Sequence, residues 1–362
     1  MPLILTLALA GLLLLYPPTS AAELAFKSCW LNGSGGNGNL NAECATWQRP
    51  LDPGKPEGKQ IELFVTRLAS TALQPAEDAL TIVNGGPGGS SVDLLVDLAS
   101  IISALTRNRD VIVIDQRGTG RSSPLHCEAL SDSVEVLEED QIRSLTRQCL
   151  RNLPHDPRFF STTVAVDDLE ALRQTLGYRQ LSLYGVSYGT RVVQQYMRAY
   201  PEQTRAVVID GVVPPQRVLG GSVAIHSDNS LQAVFARCAA TATCAGRFPQ
   251  LKEDFSTLSA RLRAAPITLQ LQHPVTGLPT EVDLDYAHLA MWIRFALYAP
   301  ETTALIPLII HQATHSQNYL PIAANALRFL HDITAALNYG MHNAVVCTED
   351  APFFAQQQVD YT

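Results

Sequence analysis

Gly185-Val186-Ser187-Tyr188-Gly189 stands between the apolar run Leu181-Ser182-Leu183-Tyr184 and Arg191–Met197, which reads as a helix. A G-x-S-x-G between strand and helix places its serine on a sharp turn with the hydroxyl outward. Glycine is needed on both sides because larger side chains would clash where strand and helix pass so closely. Ser187 is therefore a candidate nucleophile. Glycine and serine also cluster in ordinary loops, so the flanks carry the weight of this reading.

Working outward, short β-branched runs recur at Ile61–Arg67, Ala79–Val83, Val111–Ile114, Leu181–Tyr184 and Ala206–Ile209. Such runs suit strands buried on both faces of a parallel sheet. Val164–Leu176 carries Val166, Leu169, Leu172 and Leu176 at helical spacing and stops at Gly177, a natural C-cap. Strands alternating with helices predict an α/β fold with a doubly wound, mostly parallel sheet. Past Gly211 helical periods dominate, as in Leu231–Ala239, Tyr286–Leu297 and Ala323–Leu337. That block reads as a helical cap inserted over the C-terminal edge of the sheet.

Asn84-Gly85-Gly86-Pro87-Gly88-Gly89-Ser90 follows the strand ending at Val83. Glycines there let backbone N–H groups approach a substrate. In acyl transfer, one such N–H and the N–H after the nucleophile would hold the oxyanion. Gly86 and Tyr188 are the expected donors, with Gly85 competing with Gly86. Asp115, beside Arg117 and Arg121 at the end of the next strand, is expected to brace its loop by pairing with one of them. A serine nucleophile also needs a histidine base held by a carboxylate. His288, His311, His315 and His331 fall in helical segments, His226 and His273 in loops, and His342 before a presumed strand at Val345-Val346. None ends a core strand. Asp210, at the end of the strand beyond the nucleophile's, is an alternative acid.

The chain has 362 residues, 17% of them charged, and a net charge of −8. Spread acidic residues leave no basic footprint, so no nucleic-acid partner is expected. Met1–Ala22, with its apolar Leu3–Leu15 and small residues at Ser20-Ala21-Ala22, reads as a secretory signal too short for a stable membrane anchor. The mature chain is accordingly expected to be secreted or periplasmic. Seven cysteines in an exported chain suggest disulfides. The sequence-local pairings are Cys29 with Cys44, Cys127 with Cys149 and Cys238 with Cys244, leaving Cys347 over. No G-x-G-x-x-G follows a first strand and no cysteine–histidine cluster has zinc spacing, so neither a cofactor nor a metal is expected.

Together these residues resemble the prolyl iminopeptidase and tripeptidyl aminopeptidase group of α/β-hydrolase serine peptidases. The matching pieces are Asn84–Ser90, Asp115–Ser122, Asp168–Arg173, Gly185–Thr190, Ile209–Val213, Cys238–Cys244 with Arg247-Phe248-Pro249, and Val346–Asp350. The resemblance implies an α/β-hydrolase core over 23–213, a cap over 214–345 and a return to the core over 346–362, after the signal peptide at 1–22. It implies an aminopeptidase acting through an acyl-enzyme at Ser187 on peptides with free N-termini. Glu349 and Asp350 become candidates for the substrate's ammonium group. Asn84 stands where many relatives carry histidine, with little effect expected, since the backbone supplies the oxyanion donors. Relatives continue with two further strands bearing the catalytic aspartate and then the histidine. Here the sequence stops at Thr362, so the last core strands are expected to be missing and the product truncated. An esterase on the same site and a non-catalytic peptide-binding remnant are the competing expectations.

Overall fold

The computed structural model describes residues 24–33, 39–131 and 139–356. The expected signal peptide, 1–22, lies outside them.

Seven strands form one sheet: β1 (Lys27–Asn32), β2 (Asn39–Pro50), β3 (Gln60–Leu68), β4 (Asp78–Val83), β5 (Val111–Ile114), β6 (Gln180–Val186) and β7 (Thr204–Asp210), in the order β1-β2-β3-β5-β4-β6-β7. The pairs from β1 to β3, and β3 with β5, are antiparallel. From β5 through β4 and β6 to β7 the strands run parallel. The sequence-read strands match β3 to β7; the polar, partly exposed β1–β2 hairpin carried no such apolar run.

Residues of one strand alternate between two apolar layers, as the pleat requires. Ile112 and Ile114 join Leu63, Leu183 and Val192 on one face, while Val111 and Val113 join Ile82, Leu95 and Val96 on the other. The helix Thr162–Leu176 packs on the first face; Ser161 caps its start and Gly177, at φ 76°, ends it. At the sheet's far side β7 is unlike the rest: Val208 is 57% exposed and Ile209 41%. Among the described residues it is the last strand of the sheet.

The segment after β7 builds a separate apolar cluster from the helices Val223–Ala240, Leu251–Ala264, Tyr286–Ala296, Ile306–His315 and Leu320–Ala336. Its two-stranded sheet, β8 (Ile267–Gln272) with β9 (Pro279–Leu284), is an addition to the purely helical expectation. His226 lies within a helix rather than a loop. Val345 also closes a helix, Tyr339–Val345, rather than opening a strand, because Met341, Ala344 and Val345 are buried together against the sheet's first layer.

The three expected disulfides are present, with Cα–Cα distances of 5.9 Å for Cys29–Cys44, 5.2 Å for Cys127–Cys149 and 5.0 Å for Cys238–Cys244. Cys347 is a free, exposed thiol. No helix among the described residues is long and apolar enough to cross a membrane.

Candidate active site

Ser187 sits where β6 turns into the helix Tyr188–Ala199, exposed to solvent, with φ 53° and ψ −123°. A non-glycine residue in such backbone geometry costs about 1–3 kcal/mol and persists only where its surroundings impose it. Here the imposing contacts are visible. The Ser187 N–H donates to the Asp210 carbonyl at 2.8 Å, and the Ser187 carbonyl accepts from the Thr190 N–H at 2.9 Å and the Thr190 hydroxyl at 2.6 Å. Thr190 Oγ1 in turn accepts from Val213 N–H at 2.8 Å. A Cβ on Gly185 would stand 2.6 Å from the Gly189 carbonyl, and one on Gly189 would stand 2.2 Å from the Val83 carbonyl, so the turn packs on its helix and on β4 only because both residues lack one.

The glycine loop after β4 abuts the serine. A Cβ on Gly85 would fall 2.7 Å from Ser187 Cβ and 3.1 Å from its Oγ. Asn84 locks this loop: its Nδ2 donates to Ser90 O at 2.8 Å, its Oδ1 accepts the Gly85 N–H at 2.7 Å, and its own N–H donates to Ser91 Oγ at 3.1 Å. Gly85's donor is thus spent on Asn84. The N–H groups of Gly86 and Tyr188 have no partner among the described residues. The loop is held from beyond as well: Asn338 N–H donates to Gly88 O at 3.0 Å, and His342 Nδ1 donates to Pro87 O at 3.1 Å. Burial holds the His342 imidazole below its ordinary pKa.

Asp115 braces this region, though not through an ion pair. It is buried and accepts from Ser90 Oγ at 2.8 Å, Val92 N–H at 3.0 Å and Arg121 N–H at 3.0 Å. Burial raises its pKa, with those donors opposing. Arg117, one of its two expected partners, instead turns to Asp168, with Nε at 2.7 Å from one carboxylate oxygen and Nη2 at 2.9 Å from the other. The pairing differs because the Ser90 hydroxyl and the N–H groups of Val92 and Arg121 already satisfy Asp115.

Glu349 and Asp350, the expected ammonium-binding candidates, are engaged within the protein. Asp350, 1% exposed, takes a two-pronged pair from Arg191 at 3.1 Å and 3.1 Å, and a bond from Leu219 N–H at 2.8 Å. Glu349 accepts from Thr162 N–H at 2.6 Å and from the Thr162 hydroxyl at 2.7 Å. That hydroxyl also meets the buried Tyr188 phenol at 2.7 Å. Asp350 therefore ties the segment after the helical block to the helix Tyr188–Ala199, and Glu349 ties it to the helix Thr162–Leu176. No local sequence signal pairs Arg191 with a residue so far along the chain.

Asp210 contributes its backbone carbonyl to the elbow, while its carboxylate accepts the Tyr184 hydroxyl at 2.9 Å. The Ser187 hydroxyl makes no hydrogen bond among the described residues, and no imidazole there contacts it. An exposed hydroxyl on a strained turn beside unspent N–H donors can act as a nucleophile whose tetrahedral adduct the backbone stabilises.

Residues 78–305 match the alpha/beta hydrolase fold family. The chain belongs to the alpha/beta hydrolase family. Within it, the chain is similar to the tripeptidyl aminopeptidase of Streptomyces lividans, 30% identical over 197 residues, covering 48% of this chain and 36% of that protein. It is similar to a serine protease of Mycobacterium tuberculosis, 27% identical over 192 residues, covering 48% of this chain and 36% of that protein. It is also similar to carboxylesterase B of Mycobacterium tuberculosis, 30% identical over 216 residues, covering 55% of this chain and 41% of that protein. The chain thus spans well under half the length of these relatives.

Proposed function

We propose that the chain is an exported serine hydrolase that releases residues or short peptides from free N-termini through an acyl-enzyme at Ser187. One observation carries this reading: the exposed Ser187 hydroxyl stands on a strained elbow against the Asn84–Gly89 loop. The names of the aminopeptidase and protease relatives support a peptide substrate. In the proposed step Ser187 Oγ attacks the scissile carbonyl, and the N–H groups of Gly86 and Tyr188 receive the oxyanion. A general base must reach Oγ to take its proton. The three disulfides support an oxidising compartment, secreted or periplasmic. In this reading 23–213 is the catalytic core and 214–345 a cap beside it: Leu231 to Ala326 build an apolar cluster of their own, while Met341, Ala344 and Val345 join the core's.

A second reading, an esterase on the same site, has the carboxylesterase relative in its favour. Ester and amide cleavage share the elbow and the oxyanion donors. The folded chain is treated with a fluorophosphonate probe and then assayed on aminoacyl arylamides and short acyl esters. An adduct at Ser187 with arylamide turnover is the expected result. Ester turnover alone would replace the peptidase reading, and a folded chain that takes no adduct would leave a peptide-binding role instead.

A further inference from the structure

In the separate helical cluster, two histidines and a buried carboxylate converge on one point. His311 and His315 lie four residues apart on the helix Ile306–His315, so they share a face. Asp254 comes from the first turn of the neighbouring helix, Leu251–Ala264. Its carboxylate meets His315 Nε2 at 2.9 Å and 3.0 Å, and His311 Nδ1 lies 3.5 Å from its Oδ2. One ligand atom from each residue lies within 4.8 Å of the other two.

Two features ask for something between these groups. The Asp254 side chain is only 7% exposed, yet among the described residues its ionic contacts are imidazoles, with no lysine or arginine. A buried carboxylate normally needs a full positive charge. Moreover, His311 Nδ1 is buried and has no hydrogen-bond partner among the described residues. Two imidazole nitrogens and one carboxylate oxygen are a donor set suited to zinc, which takes nitrogen and oxygen at about 2.0–2.2 Å. Tetrahedral bonds of that length set ligand atoms about 3.3 Å apart, close to the 3.0 Å and 3.5 Å that separate Asp254 Oδ2 from His315 Nε2 and His311 Nδ1. The His315 side chain is 45% exposed, so an ion has a way in and a water can complete the shell.

We propose that Asp254, His311 and His315 form a zinc site that pins the helix Leu251–Ala264 to the helix Ile306–His315. It shares no residue with the Ser187 site. The ion binds the deprotonated His311 Nδ1 and His315 Nε2 together with one Asp254 oxygen, and its charge answers the buried carboxylate.

The test uses the full chain, stripped with a chelator and titrated with Zn2+ against a chromophoric competitor. A parallel titration with Co2+ reads the visible bands of tetrahedral coordination. One zinc per chain, a raised melting temperature and cobalt bands are expected in the wild type. His311→Ala and His315→Ala should each weaken zinc affinity at least about tenfold and abolish the bands. His315 is half-exposed, so its variant is the safeguard against misfolding, with far-UV circular dichroism confirming the fold. No zinc binding by the wild type, or equal binding by wild type and His315→Ala, overturns the proposal.

Discussion

The space a methyl group would occupy on Gly85 lies 2.7 Å from the Cβ of Ser187. Loop and serine are therefore fitted to each other at the limit of contact. Gly85→Ala must push one of them away, and a misplacement of about 1 Å at a reacting group costs about a hundredfold in rate. Fluorophosphonate labelling of Ser187 should slow by that order. Gly246→Ala, where an added Cβ meets nothing within 4 Å, is the matched control and should label normally. Equal labelling of the two variants would refute the fitted contact.

Arg117 and Asp168 form a buried pair, and Arg117 Nη1 also donates to the carbonyls of Leu51 at 3.0 Å and Phe159 at 2.9 Å. Removing one partner of such a pair strands the other charge, at about 3–5 kcal/mol. Asp168→Ala should lose that much in urea unfolding. Arg49, which also reaches Asp168 at 3.0 Å from a more exposed position, should cost far less when replaced by alanine. Similar losses for the two would place the energy elsewhere.

Burial lowers the His342 pKa from 6.5, against the opposing pull of the Pro87 carbonyl and the Asp350 charge. The unfolded chain then binds this proton more readily than the folded one. Its contribution to stability is complete above 6.5 and disappears as pH falls through the depressed folded value. Between about pH 7.5 and about pH 5, the wild-type urea midpoint should fall more than that of His342→Gln. Parallel curves for the two proteins would count against this assignment.

The disulfides close loops of 15, 22 and 6 residues. Loop-closure entropy assigns about 3.4 kcal/mol to the 22-residue loop and about 2.2 kcal/mol to the 6-residue one. Replacing Cys127 and Cys149 with serine should thus destabilise the chain more than replacing Cys238 and Cys244. Denaturant unfolding of the two double variants checks the order, and a reversed order would point to strain rather than chain entropy.

The central strands were readable because each is a short apolar run buried on both faces, as Val111–Ile114 illustrates. The hairpin β8–β9 alternates Ile267, Leu269 and Leu271 with Thr268, Gln270 and Gln272, a period of two that the surrounding helical periods obscured. The elbow was legible down to its serine, since glycine spacing there reports a local collision of backbones. What the Gly85 N–H binds was not, because it turns on where the Asn84 side chain points. Glu349 and Asp350 show the same gap: acidic residues announce charge, and only the fold reveals that Arg191 and Thr162 claim it. His311 and His315 read only as histidines in a helical segment, because their carboxylate comes from another helix, which no linear pattern supplies.

Each sulfur bridge closes on its own side: Cys29–Cys44 and Cys127–Cys149 bound segments before β6, and Cys238–Cys244 joins neighbouring helices of the later block. None staples the two apolar clusters to one another. The bonds of Asn338 to Gly88 and of His342 to Pro87, which tie the chain leaving the helical block to the glycine loop, are noncovalent as well. The join between the helical block and the sheet is accordingly independent of the redox state of these six cysteines.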